Sequence, residues 1–299
     1  MNAWFKDFLR FILLRRIYLV GFSMVAIFII VGVLAPYIVT KPEDAWGIAY
    51  HPEKKFNPPS LEHPLGTDAL GRDLLNRVIL GTRFSLVIGV SVVVIALLIG
   101  VPTGLVAGYF GGKVGTVVMR IADMFLAFPP LLLAIAFASI LGRGVLNTII
   151  ALALSWWPWY TRLVYIQTTS VKSLAYVDSA KIIGVSPVVI MFKHIFPNVI
   201  TPVVTQATLD IGSAILEASA LSFLGVGVPP PIPEWGLLVS EGWQYINIAW
   251  WISLFPGLAI LTVVLGFNLL GDALKEYMDP RVRNLMIIKR RRSWRIMPS

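Results

Sequence analysis

Residues 176–198 read YVDSAKIIGVSPVVIMFKHIFPN, and the fold is organised around this stretch because it separates two long apolar runs. A first helix is predicted to end near Ile183, where Gly184 supplies the left-handed backbone conformation that commonly closes a helix. Ser186 is predicted to cap a second helix. Pro187 takes the first position of that helix, where a missing N–H costs nothing.

The second helix has an apolar face, because Val188, Phe192 and Ile195 recur at helical spacing. Pro197 is expected to stop this helix before the next apolar run begins. We therefore predict two short helices in a fixed elbow, a shape that can dock against another protein and transmit force to it.

The composition is that of a membrane protein. Of the 299 residues, 57% are hydrophobic and only 14% are charged, which argues against a soluble globular domain. The formal charge of +9 would raise nucleic acid as a partner of a soluble domain, but the positive-inside bias of membrane proteins explains it more simply. Cysteine is absent, which excludes a disulfide framework and thiolate chemistry. The first apolar run is too long for a signal peptide and is interpreted as a retained membrane helix.

Six apolar runs reach the roughly 20 residues needed to span a bilayer. They lie at 17–39, 84–109, 117–141, 146–166, 199–224 and 249–270. An even number of spans puts both termini on one side. That side then holds 18 of the 25 Lys and Arg residues, so both termini and the elbow are predicted to be cytoplasmic.

The first outer loop, 40–83, has a patterned second half. Thr67 is predicted to cap a helix with one apolar stripe and one polar face. The stripe comprises Leu70, Leu74, Leu75, Val78 and Ile79, and the opposite face carries Arg72, Asp73, Asn76 and Arg77. The pattern alone favours an interfacial helix on the outer membrane surface. The alternative is that residues 63–73 are a sequence signature of a particular protein family.

Two of the spans contain breaks or aromatic clusters. Pro129 and Pro130 should break the third span and kink it in mid-membrane, so that it either lines a cavity or bends around a neighbouring helix. The indole cluster at 156–160 closes the fourth span and is interpreted as an interface belt. In the outer loop 225–248, prolines and tryptophans indicate either a stiff rim that a substrate-delivering protein touches or a plain interface anchor.

The fifth span carries acidic residues within the membrane. Gln206, Asp210, Ser213 and Glu217 follow each other at spacings that place them on one helix face. Intramembrane acids are costly unless they face a polar interior or a partner. This face is therefore a candidate for the translocation pathway or its gate, and a buried structural network is the alternative.

The elbow resembles the EAA loop of permease subunits in ATP-driven (ABC) importers. Residues 178–180, Asp-Ser-Ala, stand where that family has Glu-Ala-Ala, and Gly184 and Pro197 match its Gly and Pro. His194 occupies a place that is more often apolar. The resemblance implies that the elbow couples the chain to an ATPase through Asp178, Ser179, Ala180, Gly184, Ser186, Pro187, Phe192, His194 and Pro197.

Three further stretches resemble the C-type permease subunit of dipeptide, oligopeptide and nickel importers. They are HPLGTD with GRD at 63–73, EAS with LSFLG at 217–225, and the ending GDALKEYMDPRVR at 271–283. The resemblance implies an all-α type I permease fold of six spans and a location in the plasma membrane of a prokaryote. It also implies a B-type permease subunit, two cytoplasmic ATPases and an extracytoplasmic binding protein as partners. The implied substrate is a di- or oligopeptide, with oligosaccharides or nickel as alternatives.

No sequence motif indicates catalysis by this chain. The only Gly-Lys pair, Gly112-Lys113, lacks the remaining features of a phosphate-binding loop, and the three histidines are scattered without metal-ligand spacing. We expect no cofactor on this chain, with ATP and magnesium bound by the partner ATPases. A rival from a different class is a secondary transporter that uses Asp210 and Glu217 as proton carriers, and a scaffold without transport is a third.

The chain divides into three predicted parts. Residues 1–83 hold the first span and the outer loop, and 84–272 form the permease core with the elbow. Residues 273–299 form a basic cytoplasmic tail that is interpreted as a topology anchor, with binding to anionic lipid as the alternative.

Overall fold

The computed structural model describes residues 3–278, and the side chains from residue 7 onward. Ten helices of eight or more residues run through this part of the chain. They are α1 (Ala3–Leu14), α2 (Arg16–Ile38), α3 (Leu74–Phe110), α4 (Gly112–Leu126), α5 (Pro130–Leu141), α6 (Val145–Lys172), α7 (Ala175–Ile182), α8 (Pro187–Phe223), α9 (Trp235–Trp243) and α10 (Trp251–Met278). Residues 3–278 contain no β-strand, so the predicted all-α fold is confirmed.

Among the described residues, four helices are long and apolar enough to cross a membrane, namely α2, α3, α8 and α10. The bent pair α4 and α5 would make a fifth crossing if it counts as one span. The remaining predicted span, 146–166, lies within α6, which has 28 residues but does not meet the same criterion of apolarity. A polytopic membrane protein is confirmed, and the count of six spans stays a prediction.

The pair α4 and α5 confirms the predicted break in the third span. The two helices meet at an angle of 87° across residues 127–129. Pro129 precedes α5 and Pro130 is its first residue, where a proline costs no hydrogen bond. Both prolines and Phe128 are exposed.

The predicted interfacial helix of the outer loop is wrong. Its residues from Leu74 onward belong to α3, which continues without a break into the second span. Asp73, not Thr67, is the N-cap, and its side chain accepts a hydrogen bond from the Asn76 N–H. The face predicted to meet water is buried: the side chains of Asp73, Asn76 and Arg77 are almost completely enclosed, and each bonds at least one polar or charged neighbour.

The core lies where α3, α6 and α8 meet. One apolar cluster joins Ile88 and Val92 of α3 to Leu152 of α6 and Leu221 of α8. A second cluster lies at the elbow end of the same helices. The N-terminal helix α1 buries Phe11 and Ile12 against the end of α10, and the Arg15 side chain pairs with Glu276 at 2.7 Å.

Only the first part of the predicted C-terminal tail, 273–299, lies within the described residues. Gly271 to Met278 complete α10, whereas positions 279–299, which include most of the predicted basic tail, lie outside the described part of the chain.

Candidate functional site

The elbow begins with α7 and a glycine turn. Gly184 has φ +83°, as the sequence predicted, and its N–H bonds the Lys181 carbonyl at 3.0 Å. The next N–H, of Val185, bonds the Ala180 carbonyl at 3.0 Å, so the two bonds together form a Schellman motif. A residue with a Cβ at Gly184 would meet no atom within 4 Å, which means that the backbone conformation alone requires glycine here.

The prediction that Pro197 stops the second helix is wrong. Helix α8 runs from Pro187 through a π-helical turn at Ile190–Ile195 and continues to Phe223. In that turn the Phe196 N–H bonds the Met191 carbonyl. Pro197 then falls in the first turn of the α-helical part, where its missing N–H costs little.

The predicted cap of α8 is also corrected. Ser186 occupies the N-cap position with an extended backbone, but its side chain makes no capping hydrogen bond. Pro187 is the first helical residue, as predicted.

A hydrogen-bonded clamp holds the two arms of the elbow together. The His194 carbonyl accepts a bond from the Tyr176 hydroxyl at 3.1 Å and one from the Asn198 amide at 2.9 Å. The Asn198 amide also donates to the Tyr176 oxygen at 3.1 Å. Tyr176 lies on α7 and the other two residues on α8, so the clamp fixes the angle between these helices.

One face of the elbow is anchored in the core of the protein. Val177 of α7 and Ile190 and Ile195 of α8 are completely or almost completely buried, and they pack with Leu105 of α3 and Val164 of α6. The elbow is therefore packed directly against α3 and α6.

The opposite face of the elbow is apolar and exposed. We call Ile182, Ile183, Val188 and Phe192 the elbow patch; their side chains are 57% to 85% exposed. The predicted apolar face of Val188, Phe192 and Ile195 is thus divided, because only Ile195 points into the core. Around the patch, Asp178 and Ser179 are exposed, and Asp178 pairs with Lys181 at 2.7 Å. Ala180 is buried.

The polar face of α8 comprises Gln206, Asp210, Ser213 and Glu217. Part of this face packs against α6 and part is exposed. Asp210 is only 8% exposed and accepts hydrogen bonds from the Tyr160 hydroxyl at 2.7 Å and the Gln206 amide at 2.8 Å. Glu217 is half-buried and accepts a bond from the Trp156 indole at 2.8 Å. Ser213 is exposed. Asp210 therefore ties α8 to α6, and a pathway role for this face stays a prediction.

The indole cluster is not an interface belt throughout. Trp156 and Tyr160 lie in the middle of α6, not at its end, and both are buried against α8. Their polar atoms are needed there, because each donates to an acidic side chain of α8. Trp159 remains exposed.

A buried ion network holds the start of α3 to α9. The Arg77 guanidinium is fully buried and pairs with Asp68 at 2.8 Å and with Glu241 at 2.6 Å. Arg72 pairs with Asp68 at 2.7 Å. Glu241 lies in the loop 225–248, where α9 begins at the completely buried Trp235. That burial excludes Trp235 as an interface anchor.

Asp73 is the centre of a second polar cluster, with His63 at 2.8 Å and Lys41 at 3.2 Å. Burial would raise the pKa of Asp73, but the hydrogen bonds from His63, Asn76 and Lys41 outweigh it and hold the pKa below its ordinary value. A carboxyl with a lowered pKa stabilises the fold above the pKa of the unfolded chain, and this contribution is lost as the pH falls through the folded-state pKa.

The sequence did not predict a charged cavity that lies between α4 and α6. Arg120, Asp123 and Arg162 lie together in it, and Asp123 and Arg162 form an ion pair. The count of Lys and Arg residues predicts that both arginines are on the cytoplasmic side, but it does not predict that they lie close together. Charged residues inside two predicted spans were the signal that could have indicated the cavity.

These features define a polytopic α-helical membrane protein with a short elbow between two long helices. The chain belongs to the family of binding-protein-dependent transport system inner membrane components, whose profile matches residues 100–284. The resemblance to C-type permease subunits of ABC importers and the type I permease fold are thereby confirmed.

Curated relatives match the chain over most of its length. The chain is 40% identical over 270 residues to the dipeptide transport system permease protein DppC of Alkalihalophilus pseudofirmus, covering 90% of this chain and 88% of the relative. It is 44% identical over 250 residues to the di/tripeptide transport system permease protein DppC of Pseudomonas aeruginosa, covering 80% and 82%. It is 39% identical over 280 residues to the glutathione transport system permease protein GsiD of Pectobacterium atrosepticum, covering 93% and 92%.

Proposed function

We propose that this chain forms half of the translocation pathway of an ATP-driven peptide importer and that its elbow receives the movement of cytoplasmic ATPases. The elbow patch is the observation that carries the proposal. Its four apolar side chains are exposed on a segment whose other face is packed against α3 and α6. Exposed apolar clusters of this kind mark protein–protein contacts.

The continuity of α8 supplies the mechanical link. Val188 and Phe192 of the elbow patch lie on the same helix as the polar face, and Phe192 and Ser213 are separated by about 30 Å at the usual rise per residue. When the ATPases close, the elbow moves as a unit, and α8 carries that movement into the membrane. The pathway thereby switches between outward- and inward-facing states.

Within the membrane, we propose that Gln206, Ser213 and Glu217 line the pathway and that Asp210 holds their helix in place. Pro129 and Pro130 would form part of the same lining, because the break between α4 and α5 exposes them. This division between lining and support follows from burial: Asp210 is enclosed, whereas Ser213 is open.

The proposed partners follow from the family. They are a B-type permease subunit, two ATPases that bind ATP and magnesium, and an extracytoplasmic binding protein, in the plasma membrane of a prokaryote with both termini cytoplasmic. This chain binds no cofactor and catalyses no step. Di- and oligopeptides are the proposed substrates because relatives at 40% and 44% identity are named as dipeptide and di/tripeptide permeases. Oligosaccharides and nickel are the alternatives.

Reconstitution of the importer in proteoliposomes tests the proposal. With the partner subunits and binding protein present, we expect peptide uptake to require ATP on the ATPase side and to continue when a protonophore collapses the proton gradient. The double variant Asp210→Asn, Glu217→Gln should still show ATP-driven uptake that is insensitive to the protonophore. Uptake that follows the proton gradient and needs no ATP would instead establish a secondary transporter.

A further inference from the structure

Helix α4 has two unlike faces, an exposed apolar stripe and a polar side that faces α6. Val114, Val117, Ile121 and Met124 form an apolar stripe, and all four are exposed. On the other side, Thr116, Arg120 and Asp123 recur at helical spacing. The apolar stripe is suited to lipid or to a second subunit, whereas the polar side requires water or polar partners.

The polar side of α4 opens on a cavity of about 430 Å³ between α4 and α6. Thr116, Arg120 and Asp123 line it from α4, and Arg162 and Tyr165 line it from α6. The Asp123–Arg162 ion pair bridges the two helices, and its side chains remain 42% and 44% exposed. Water or a ligand in the cavity can therefore contact this ion pair.

The cavity lies beside the last turns of α3. A Cβ at Gly104 of α3 would touch Thr161 and Val164, so Arg162 is level with Gly104. Gly104 is six residues before the end of α3 at Phe110, which corresponds to about 9 Å. Gly112 and Gly115, which follow the end of α3, also line the cavity, so it opens where α3 ends. Charged groups are costly against lipid, and these fit a water-filled mouth of the pathway or a contact with the second permease subunit.

The charges of the cavity do not balance. Two guanidinium groups face one carboxylate, and Arg120 has no ion-pair partner among residues 7–278. We propose that this cavity is a station on the translocation pathway where Arg120 binds the terminal carboxylate of a peptide in transit. Asp123 keeps Arg162 in place, and Arg120 supplies the free donors that a carboxylate accepts in pairs. The inference rests on the proposed import of peptides.

Uptake of matched peptides by the reconstituted importer tests the role of Arg120. The two substrates are a dipeptide and its C-terminal amide, after a binding assay has shown that the extracytoplasmic protein takes up both. In Arg120→Gln, we expect the uptake rate of the free acid to fall roughly tenfold, as for the loss of a charge-assisted hydrogen bond. Uptake of the amide should be unchanged, and Arg120→Lys should recover part of the loss.

Lys113→Gln is the matched control, because Lys113 lies on the same helix, carries the same charge and does not line the cavity. This control should transport both peptides as the wild type does. Equal losses of acid and amide in Arg120→Gln would overturn the proposal and indicate that Arg120 pairs with the second subunit. Unchanged uptake of the acid would overturn it too. A wild-type importer that takes up no peptide refutes the proposed function itself.

Water access provides a readout that does not depend on transport. The chain has no native cysteine, so single substitutions can be labelled selectively. In the assembled importer, Thr116→Cys should react rapidly with a water-soluble maleimide, whereas its neighbour Val117→Cys on the apolar stripe should not. Slowed labelling of Thr116→Cys by the free dipeptide, but not by its amide, would support the station. Absence of labelling at Thr116→Cys would contradict it.

Discussion

Replacing Phe192 with aspartate is expected to separate this chain from its ATPase partners while leaving its own fold intact. Phe192 is 57% exposed and belongs to no buried cluster, so the substitution removes little core packing beyond the ring contact with Phe196. In the proposed complex it is part of the elbow patch, and a charge there would be buried against an apolar surface without a partner. Buried apolar contacts of this kind are worth about 2 kcal/mol or more, which corresponds to at least about a thirtyfold loss of affinity.

The measurement is the amount of ATPase that co-purifies with the tagged permease from solubilised membranes. Leu61→Asp is the control, since Leu61 is fully exposed but lies in the outer loop, away from the elbow. The control should retain the ATPases at the wild-type level. Retention of the ATPases by Phe192→Asp at that same level would show that the elbow patch is not the contact.

The second large effect is expected from Arg77→Met, which breaks the buried ion network of the outer domain. Arg77 is fully buried, and its removal leaves Glu241 with only the longer contact to Arg72 at 3.3 Å. Breaking a buried ion pair by removing one partner costs about 3 kcal/mol or more. We therefore expect a marked drop in the Tm of the purified protein.

Arg83→Met is the matched control, because Arg83 lies on the same helix but is exposed and has no ion-pair partner among residues 7–278. It should leave the Tm nearly unchanged. Removing both partners in Arg77→Met, Glu241→Met should cost less than the two single changes together, since no buried charge is left unpaired. If the single and double variants show strictly additive losses, the network does not couple the two helices.

The elbow could be predicted from the sequence where the cause is local. Gly184 needs a positive φ whatever surrounds it, and the structure has it at +83°. The prediction that Pro197 ends the helix was wrong because the effect of a proline depends on the turn before it. A π-helical turn at Ile190–Ile195 places that proline in the first turn of the α-helical part. A single sequence carries no signal for such a turn.

The contacts around the start of α3 could not be predicted for a different reason. Leu74, Leu75, Val78 and Ile79 of the predicted apolar stripe lie on α3, whereas Leu70 precedes it. Periodicity also does not reveal what covers the opposite face of a helix. Arg77 finds Glu241 at a separation of 164 residues, and no local pattern encodes that contact. The acidic face of α8 is similar: its spacing was evident, but its division into a buried Asp210 and an open Ser213 depends on Tyr160 of another helix.

Cross-linking from the elbow patch tests the central claim most directly. Because the chain has no native cysteine, Val188→Cys places a single reactive group on the patch, where Val188 is exposed. In membranes with the assembled importer, we predict labelling from the cytoplasmic side only and a cross-link from this cysteine to an ATPase subunit. Labelling from the outer side, or an assembled importer in which Val188→Cys reaches no ATPase, would contradict the account.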